Sequence, residues 1–284
     1  MASRPSPTVP KRQVGRQLFE HREAADKTRE DAAAALECSP SKISRIEHGL
    51  VSPSASDLRA LLDLYGVPDA QRREIEDIAR DARKRRPRTT YGKAIPTWFR
   101  RYVALEEAAT EIRTYDESLI TGLLQTEDYA RALTMSSPLH DPDTVEQIVK
   151  ARTARQARLL NSTPPSLWSV MSEHAVGLLV GGPEVMRAQL GHLIDMAHMP
   201  HVTIQIAPRA GGAHAATGFP FTLLSFPDGG VDVVYTEDLT SASYLDKADD
   251  LQRKSHLAVW QHLTAAALSP RESIRLVDTL RREL

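Results

Sequence analysis

The chain has 284 residues, of which 41% are hydrophobic and 26% are charged, with a formal net charge of −1. This length predicts two domains, because single domains most often have about 100–200 residues, and the composition excludes disorder beyond the first dozen Pro- and Ser-rich residues. The N-terminus lacks the apolar stretch of a signal peptide, and no run of about 18 apolar residues offers a membrane span. We therefore expect a cytoplasmic protein without membrane contact.

Cysteine content and charge distribution narrow the class of protein further. The single cysteine, Cys38, excludes an intramolecular disulfide and any zinc site built from clustered cysteines. Residues 1–88 contain 18 Lys and Arg against 14 Asp and Glu, whereas the remainder contains 18 against 23. The N-terminal part is therefore the one that favours a negatively charged partner.

Five short helices are predicted for the N-terminal part, after a flexible arm over residues 1–12. They cover about 14–24, 28–36, 39–49, 56–65 and 69–86. The second helix begins with Thr28-Arg29-Glu30-Asp31, the pattern of a capping box. The third begins at Ser39, whose hydroxyl is expected to cap the helix, with Pro40 in its first turn and Gly49 at its end.

The second and third helices together have the pattern of a helix-turn-helix. In the third helix Ile43 and Ile46 point inward at core spacing, while Lys42, Ser44 and Arg45 point outward. This arrangement leaves a polar, basic face on the third helix.

A basic run at 83–88, with five basic residues in six, follows the fifth helix, and we place the end of the first domain, residues 13–88, there. The run has two interpretations. It is either a solvated helix end whose cations favour the helix dipole, or a second contact to phosphates.

The C-terminal part, residues 95–284, is predicted to be an α+β domain with a small, mostly antiparallel sheet. Helices are predicted at about 98–109, 126–135 and 144–160, from Pro183, across 257–267, and from a capping box at Ser269. Strands are predicted at 167–171, 202–206, 219–226 and 231–235, the last two joined by a hairpin turn at 227–230.

Residues 28–49, TREDAAAALECSPSKISRIEHG, resemble the Xre-type helix-turn-helix family, to which phage repressors also belong. The features in register are the Thr-x-Glu opening, Ala33, Ser39-Pro40-Ser41, Ile43 and Arg45-Ile46-Glu47-x-Gly49. The resemblance implies that the third helix is a recognition helix, which a major groove about 12 Å wide admits. The residues it places against DNA are Thr28, Arg29, Ser39, Ser41, Lys42, Ser44 and Arg45.

The resemblance implies different roles for these side chains. Thr28 and Arg29 lie where the preceding helix meets a phosphate. Arg45 offers a bidentate donor pair to guanine, and Lys42 reaches either a base or the backbone. The serines make weaker and less selective contacts.

Four further residues of the motif are assigned to the scaffold or the turn. Arg22 and Glu47 match a family ion pair that joins the first helix to the end of the recognition helix. Cys38 stands where the family has an apolar residue, which favours packing over redox chemistry. Glu37 departs from the family pattern, because a glycine often makes this turn.

Segments of the C-terminal part resemble a domain of unknown function that follows Xre-type modules in many actinobacterial regulators, some of them described as antitoxin-like. The matching segments are Gly122-Leu123-Leu124-Gln125-Thr126, Tyr129-Ala130-Arg131, Arg152-x-x-Arg155-Gln156 and Leu268-Ser269-Pro270. The resemblance implies regulation through a second protein, often a small toxin-like product of a neighbouring gene, rather than catalysis.

One helical face in this domain is a candidate site. Arg152, Arg155 and Gln156 are three and four residues apart and share that face. They could bind an acidic partner or a ligand. They could equally pair with Glu146 or other surface acids as a solvated charge cluster, and charge runs on helices favour this second interpretation.

Catalytic, metal and cofactor motifs are missing from the sequence. The spacing of His192, His198 and His201 does not fit a zinc-binding helix, and no Gly-x-Ser-x-Gly element is present. The glycine-rich loop at 210–214 lacks the Lys-Ser/Thr of a phosphate-binding loop and is predicted to be a turn between strands. We therefore expect no enzyme, no metal and no cofactor.

Three hypotheses follow for the whole chain. The first is a transcription regulator that binds a pseudo-palindromic double-stranded operator as a homodimer, with a C-terminal domain that binds a small toxin-like protein. The second makes that domain a pocket for a small metabolite that shifts a two-state dimer. The third, a catalytic C-terminal domain, ranks behind both because catalytic motifs are missing.

Overall fold

The computed structural model describes residues 8–82, 95–96, 98–227, 233–245 and 251–284. The chain divides into two compact units, residues 1–88 and 89–284. Among the described helices, none is long and apolar enough to cross a membrane. The basic run at 83–88 and residues 228–230 of the predicted hairpin turn lie outside the described residues.

Unit 1 is helical in its described part. Its helices are α1 (Thr8–Ala24), α2 (Arg29–Ala35), α3 (Pro40–Glu47), α4 (Ala55–Leu64) and α5 (Asp69–Ala82). The predicted arm over residues 1–12 is too long, because α1 already begins at Thr8. Pro10 does not prevent this, since a proline in the first turn lacks only an N–H that has no helical partner there.

Buried apolar residues from all five helices form one core in unit 1. Its largest fully buried side chains are Leu18, Ile43, Ile46, Leu58, Leu61, Leu62 and Ile75. Half-buried Cys38 packs against this core at the turn between α2 and α3. The prediction that Ile43 and Ile46 point into the core is confirmed.

Helix ends in unit 1 follow the predicted chemistry at Thr28 but not at Ser39. The Thr28 hydroxyl accepts from the Asp31 N–H at 3.1 Å, and the Asp31 carboxylate accepts from the Thr28 N–H at 2.8 Å, which completes the capping box. Ser39 occupies the cap position but makes no side-chain cap bond. The Lys42 N–H, which that hydroxyl would have accepted, donates to the Ser39 carbonyl instead.

Two glycines allow α1 to lie close to the end of α3. A Cβ on Gly15 would stand 2.4 Å from the Ile46 carbonyl oxygen, and one on Gly49 would stand 2.7 Å from Arg12 Cα. Gly49 also has a φ of +63°. Glu37 has a φ of +48°, so the turn keeps the left-handed conformation that glycine favours, at a small backbone cost.

Unit 2 combines helices with a single sheet in the part of the chain that is described. Its helices are α6 (Phe99–Glu106), α7 (Glu127–Met135), α8 (Pro142–Gln156), α9 (Glu173–Gly177), α10 (Pro183–Met196), α11 (Leu251–Ala266) and α12 (Pro270–Glu283). Its strands are β1 (Glu111–Asp116), β2 (Ser166–Ser172), β3 (Val202–Ala207), β4 (Phe221–Ser225), β5 (Val233–Glu237) and β6 (Ala242–Leu245).

The sheet has the strand order β3-β2-β1-β4-β5-β6. The pairs β1–β2 and β2–β3 are parallel, and the other three pairs are antiparallel. This confirms the predicted α+β class with a mostly antiparallel sheet. Strands β1 and β6 were not predicted, because β1 carries charged residues at both ends and β6 has only four residues.

Register brings three chain segments to one end of the sheet. Tyr115 of β1 is the partner of Phe221 at the start of β4, and Thr222 is the partner of Tyr235 in β5. The end of β1, the start of β4 and the end of β5 therefore lie side by side, so that Asp116 and Glu237 share this edge.

Candidate functional site

Helix α3 has one buried face and one exposed face. Ile43 and Ile46 are fully buried, and Glu47 is buried beside them. Ser41 and Arg45 are exposed on the opposite face. A short helix held by two isoleucines presents its polar side chains outward, which is the geometry that a major groove requires.

Arg45 is the outward residue with the most freedom to bind. Its side chain makes no hydrogen bond and no ion pair with any residue that the structure describes. Its carbonyl oxygen accepts from the N–H groups of Leu50 and Val51, which fixes the backbone at the end of α3. The guanidinium is thus held on a defined backbone with all its donors available for a base edge.

Lys42 points outward as the sequence predicted, but its ammonium already has a partner. Its ammonium lies 2.9 Å from Asp57 Oδ2 in the first turn of α4. The hydrogen bond that Lys42 donates to Asp57 raises the pKa of Lys42 and lowers the pKa of Asp57. Lys42 therefore has to exchange a carboxylate for DNA before it can contact a base or a phosphate.

The hydroxyl residues around α3 differ in what they already bind. Ser39 and Ser41 are exposed at the start of the helix. Ser44 is half-buried, with its Oγ 3.4 Å from His48 Nδ1. The Thr28 hydroxyl is engaged in the capping box. Of these four residues, Ser39 and Ser41 are the ones whose side chains the helix itself does not use.

Arg29 is shared between the scaffold and solvent. Its Nε donates to Glu47 Oε2 at 2.8 Å, and 39% of its side chain is exposed. Neither Nη group has a partner within the described ranges. Arg29 can therefore reach a phosphate while it remains bound to Glu47.

Glu47 and Arg22 form a buried ion pair beneath α3. Arg22 Nε donates to Glu47 Oε1 at 2.6 Å, and the two side chains are only 5% and 3% exposed. Arg22 also donates to the Lys27 carbonyl at 2.7 Å. One carboxylate thus ties the end of α1, the start of α2 and the end of α3 together.

The three predicted site residues of unit 2 do not form a solvated face. Arg155 makes a two-pronged salt bridge with buried Glu106, at 2.8 and 2.7 Å. Gln156 donates to the carbonyls of Gly122 and Gln125 at 3.0 and 2.7 Å. The prediction of a solvated cluster is wrong, because α8 turns this face toward the domain interior.

Pairing with Glu146, the alternative partner predicted for these arginines, is also wrong. Glu146 accepts from Arg131 of α7 at 2.7 Å. Arg152 instead donates to the Gln125 side-chain oxygen. Glu146 and Arg152 thus have different partners.

Unit 2 contains a cavity that the sequence did not indicate. Its volume is about 280 Å³, and it lies at the sheet edge formed by β1, β4 and β5. Polar residues that line it include Asp116, Arg152, Arg155 and Glu237. No sequence pattern pointed to Asp116, because Asp116 lies at the end of β1, a strand that was not predicted.

The described residues do not provide the geometry that a metal site requires. No group of three or more His, Cys, Asp or Glu side chains is arranged there to hold an ion. Of the three histidines considered, His201 bonds through Nε2 to the Leu159 carbonyl at 2.9 Å. Burial lowers the pKa of His192, which favours its neutral form.

Two family models match this chain. A model described as a helix-turn-helix domain matches residues 13–75, and one described as a domain of unknown function, DUF5753, matches residues 99–279. No curated protein and no solved structure matches it. The first match supports a DNA-binding regulator. Since the second covers more than half of the sequence, the chain belongs to the DUF5753 family and carries a helix-turn-helix domain before the family's domain.

Proposed function

We propose that this protein is a transcription regulator of the Xre type that reads a specific DNA sequence with α3. The observation that carries the proposal is the exposed, unengaged Arg45 on a helix anchored by Ile43 and Ile46. Arg45 specifies a base, most favourably guanine through O6 and N7, while Arg29 and Thr28 orient the module on the phosphate backbone. Ser39, Ser41, Ser44 and Lys42 complete the contact surface.

The regulator acts as a homodimer on a pseudo-palindromic operator. A single module of this size contacts only a few base pairs, and useful affinity requires two copies about one helical turn apart. Sedimentation of the full chain with and without operator tests this part. A dimer on DNA is expected, and a monomer under both conditions would contradict it.

Selection of genomic fragments by the purified full-length protein tests the DNA-binding proposal. The expected result is a small set of fragments with a shared inverted repeat, bound with a strong dependence on salt. Fragments without any shared sequence would mean that the protein binds DNA without reading it. That result would overturn the proposal for α3.

The C-terminal domain regulates rather than catalyses, through a small, toxin-like partner protein. The similarity to antitoxin-like regulators and the excess of acidic residues beyond residue 88 support this part of the proposal. The test is to repeat the fragment selection with the product of a small neighbouring gene present. A changed affinity or a changed fragment set is expected, and no change in either would contradict it.

A small metabolite is the second candidate for what the C-terminal domain binds. The cavity of about 280 Å³ favours it, because its size approaches that of small-molecule pockets and several polar groups converge on it. A metabolite bound there would act by favouring one of two arrangements of the dimer.

A further inference from the structure

The cavity in unit 2 is lined by both aromatic rings and charged groups. Tyr102 and Tyr235 lie with ring centroids 4.2 Å apart, and Phe99 stacks on Tyr102 at 5.1 Å. These three rings form one aromatic wall of the cavity. A ligand with an apolar or aromatic body fits such a wall.

Arg155 and Arg152 line the same cavity but differ in their partners. Arg155 forms a salt bridge with the carboxylate of Glu106, and its guanidinium lies 5.0 Å from the centroid of the Phe99 ring. Arg152 is mostly buried and forms no salt bridge with any described residue. Its one hydrogen bond goes from Nη1 to the neutral side-chain oxygen of Gln125.

Arg152 thus has no carboxylate in direct contact among the described residues. A buried guanidinium without a carboxylate carries a desolvation cost that a hydrogen bond to an amide offsets only in part. Burial lowers the pKa of Arg152 to about 10, which expresses the same cost. An anionic group entering the cavity would supply the missing partner.

Asp116 presents a complementary acceptor at the end of β1. Its Oδ2 accepts from Thr121 Oγ1 at 2.6 Å and from Thr114 Oγ1 at 2.9 Å. Oδ1 has no partner in the described part of the chain. Asp116 and Arg152 do not pair with each other, so each keeps an unused polar group on the cavity wall.

We propose that this cavity binds a small carboxylic acid that also carries a hydroxyl or amino group. The carboxylate pairs with Arg152, the hydroxyl or amino group donates to Asp116 Oδ1, and the apolar body lies against the aromatic wall. The proposal rests on the metabolite function proposed above and names the chemistry of its ligand. The volume suits a compound with one ring or a short chain.

Charge balance favours a monoanion over a phosphate. Three carboxylates line the cavity, Asp116, Glu117 and Glu237, besides the one lining arginine, Arg152, that has no carboxylate partner among the described residues. A dianionic phosphate would gain one cation and face three like charges, whereas a carboxylate brings a single charge to Arg152. Organic phosphates matched in size are therefore expected to bind at least tenfold more weakly than the acids.

The experiment measures binding of matched compounds to the full-length protein by ligand-observed NMR and calorimetry. The probes are hydroxy and amino acids with one ring or six to ten carbons, such as 4-hydroxyphenylacetate, each with its alcohol analogue and its analogue without the hydroxyl or amino group. Acids are expected to bind at least tenfold more tightly than the matched alcohols. Arg152→Gln should remove that preference, and Asp116→Asn should reduce the gain from the hydroxyl or amino group.

Two further variants separate the site from a general effect on folding. Arg152→Lys keeps the positive charge and should retain the preference for acids. Arg131→Gln alters an arginine of α7 that does not line the cavity, and it should bind like the wild type. The loss of acid preference in Arg152→Gln supports the site when this variant unfolds with the same transition as the wild type.

The outcomes distinguish this inference from the proposals that precede it. If no acid binds the wild type, or if acids bind equally well to folded Arg152→Gln, the inference is overturned while DNA binding is untouched. If acids bind through Arg152 but leave operator affinity unchanged, the site stands and the metabolite-controlled regulator does not. If neither the wild type nor any variant binds the operator, the DNA-binding proposal is contradicted and the ligand site is not.

Discussion

The two units use buried arginine–glutamate pairs in the same way but place their unpaired arginines differently. Arg22–Glu47 in unit 1 and Arg155–Glu106 in unit 2 are both buried, with side-chain exposure of 9% or less. In unit 1, Arg45 has no carboxylate partner among the described residues and lies exposed on α3. In unit 2, Arg152 likewise has no carboxylate partner in the described part of the chain, and it lines a cavity.

This difference indicates where each unit binds its partner. A buried arginine with its carboxylate is satisfied and supports the fold, so it has little to offer a ligand. An exposed arginine on a helix matches a large external surface such as the DNA groove. One held inside a cavity matches a small molecule that can enter and lose its water. The comparison can be tested at each of these residues.

Breaking either buried pair should have the largest effect. Glu47→Ala leaves buried Arg22 with only the largely exposed carboxylate of Glu23, and Glu106→Ala leaves Arg155 without a salt bridge to any described residue. We expect each to lower the free energy of unfolding of its own unit by about 3–5 kcal/mol, because a buried charge that loses its buried partner is costly. Calorimetric unfolding of the full chain measures both.

The control for this prediction is an exposed pair in unit 1. Arg16 and Glu20 interact at 2.7 Å, and their side chains are 42% and 54% exposed. Glu20→Ala should change the free energy of unfolding by less than about 1 kcal/mol. A similar small change for Glu47→Ala would mean that its pair is not part of the scaffold.

Protonation of Asp116 should give unit 2 a pH dependence that unit 1 lacks. Burial raises the pKa of Asp116 to about 6, against about 3.9 in an unfolded chain. The folded unit therefore binds the proton more tightly, and its free energy of unfolding should fall by about 2–3 kcal/mol as pH rises from about 4 to 6. Asp116→Asn should lose this slope when unfolding is followed across that range. An unchanged slope would contradict the assignment.

Arg29→Ala should weaken DNA binding without changing sequence preference. Its free Nη groups are placed for a phosphate, so its loss should lower affinity for operator and unrelated duplex by the same factor. It should also reduce the salt slope by about one. Arg80→Ala, an exposed arginine of α5 paired with Asp77, is the control and should bind like the wild type. A selective loss at the operator would assign base contact to Arg29.

Releasing Lys42 from Asp57 should change DNA binding and stability the least. Asp57→Asn removes the carboxylate that pairs with Lys42, which should strengthen operator binding a few-fold and lower the free energy of unfolding by less than about 1 kcal/mol. Because the pKa of Asp57 is lowered in the folded state, this contribution is present above about pH 4 and is lost as pH falls further. Asp63→Asn, which frees Arg72 away from α3, is the matched control in a fluorescence titration. Weaker operator binding by Asp57→Asn would contradict the release of Lys42.

Local pattern explains what could be predicted of unit 1. The capping box at Thr28 and the inward spacing of Ile43 and Ile46 depend on residues within one helix, so the sequence was enough. The error at Ser39 arose from a competing partner, because its carbonyl accepts the N–H expected for its hydroxyl. The ion pair of Lys42 was not predicted, because its partner Asp57 belongs to the next helix.

Tertiary contacts explain what could not be predicted of unit 2. Arg155 has a partner 49 residues away, and β1 is a strand because β2 and β4 pair with it on both edges. Those contacts join residues that are far apart in the sequence, so no local pattern could reveal them. The same three arginine and glutamine positions that looked solvated on a helical wheel thus face the interior, and the cavity became visible only with the sheet assembled.

The most direct test of the central claim compares wild-type protein with Arg45→Ala on the selected operator and on an unrelated duplex. Because Arg45 is expected to read a base, the variant should lose about 1–3 kcal/mol of affinity for the operator and little for the unrelated duplex. Operator substitutions at the contacted base pair should then cost the variant nothing further. Equal affinity of both proteins for the operator would contradict the assignment of α3 as the DNA-reading helix.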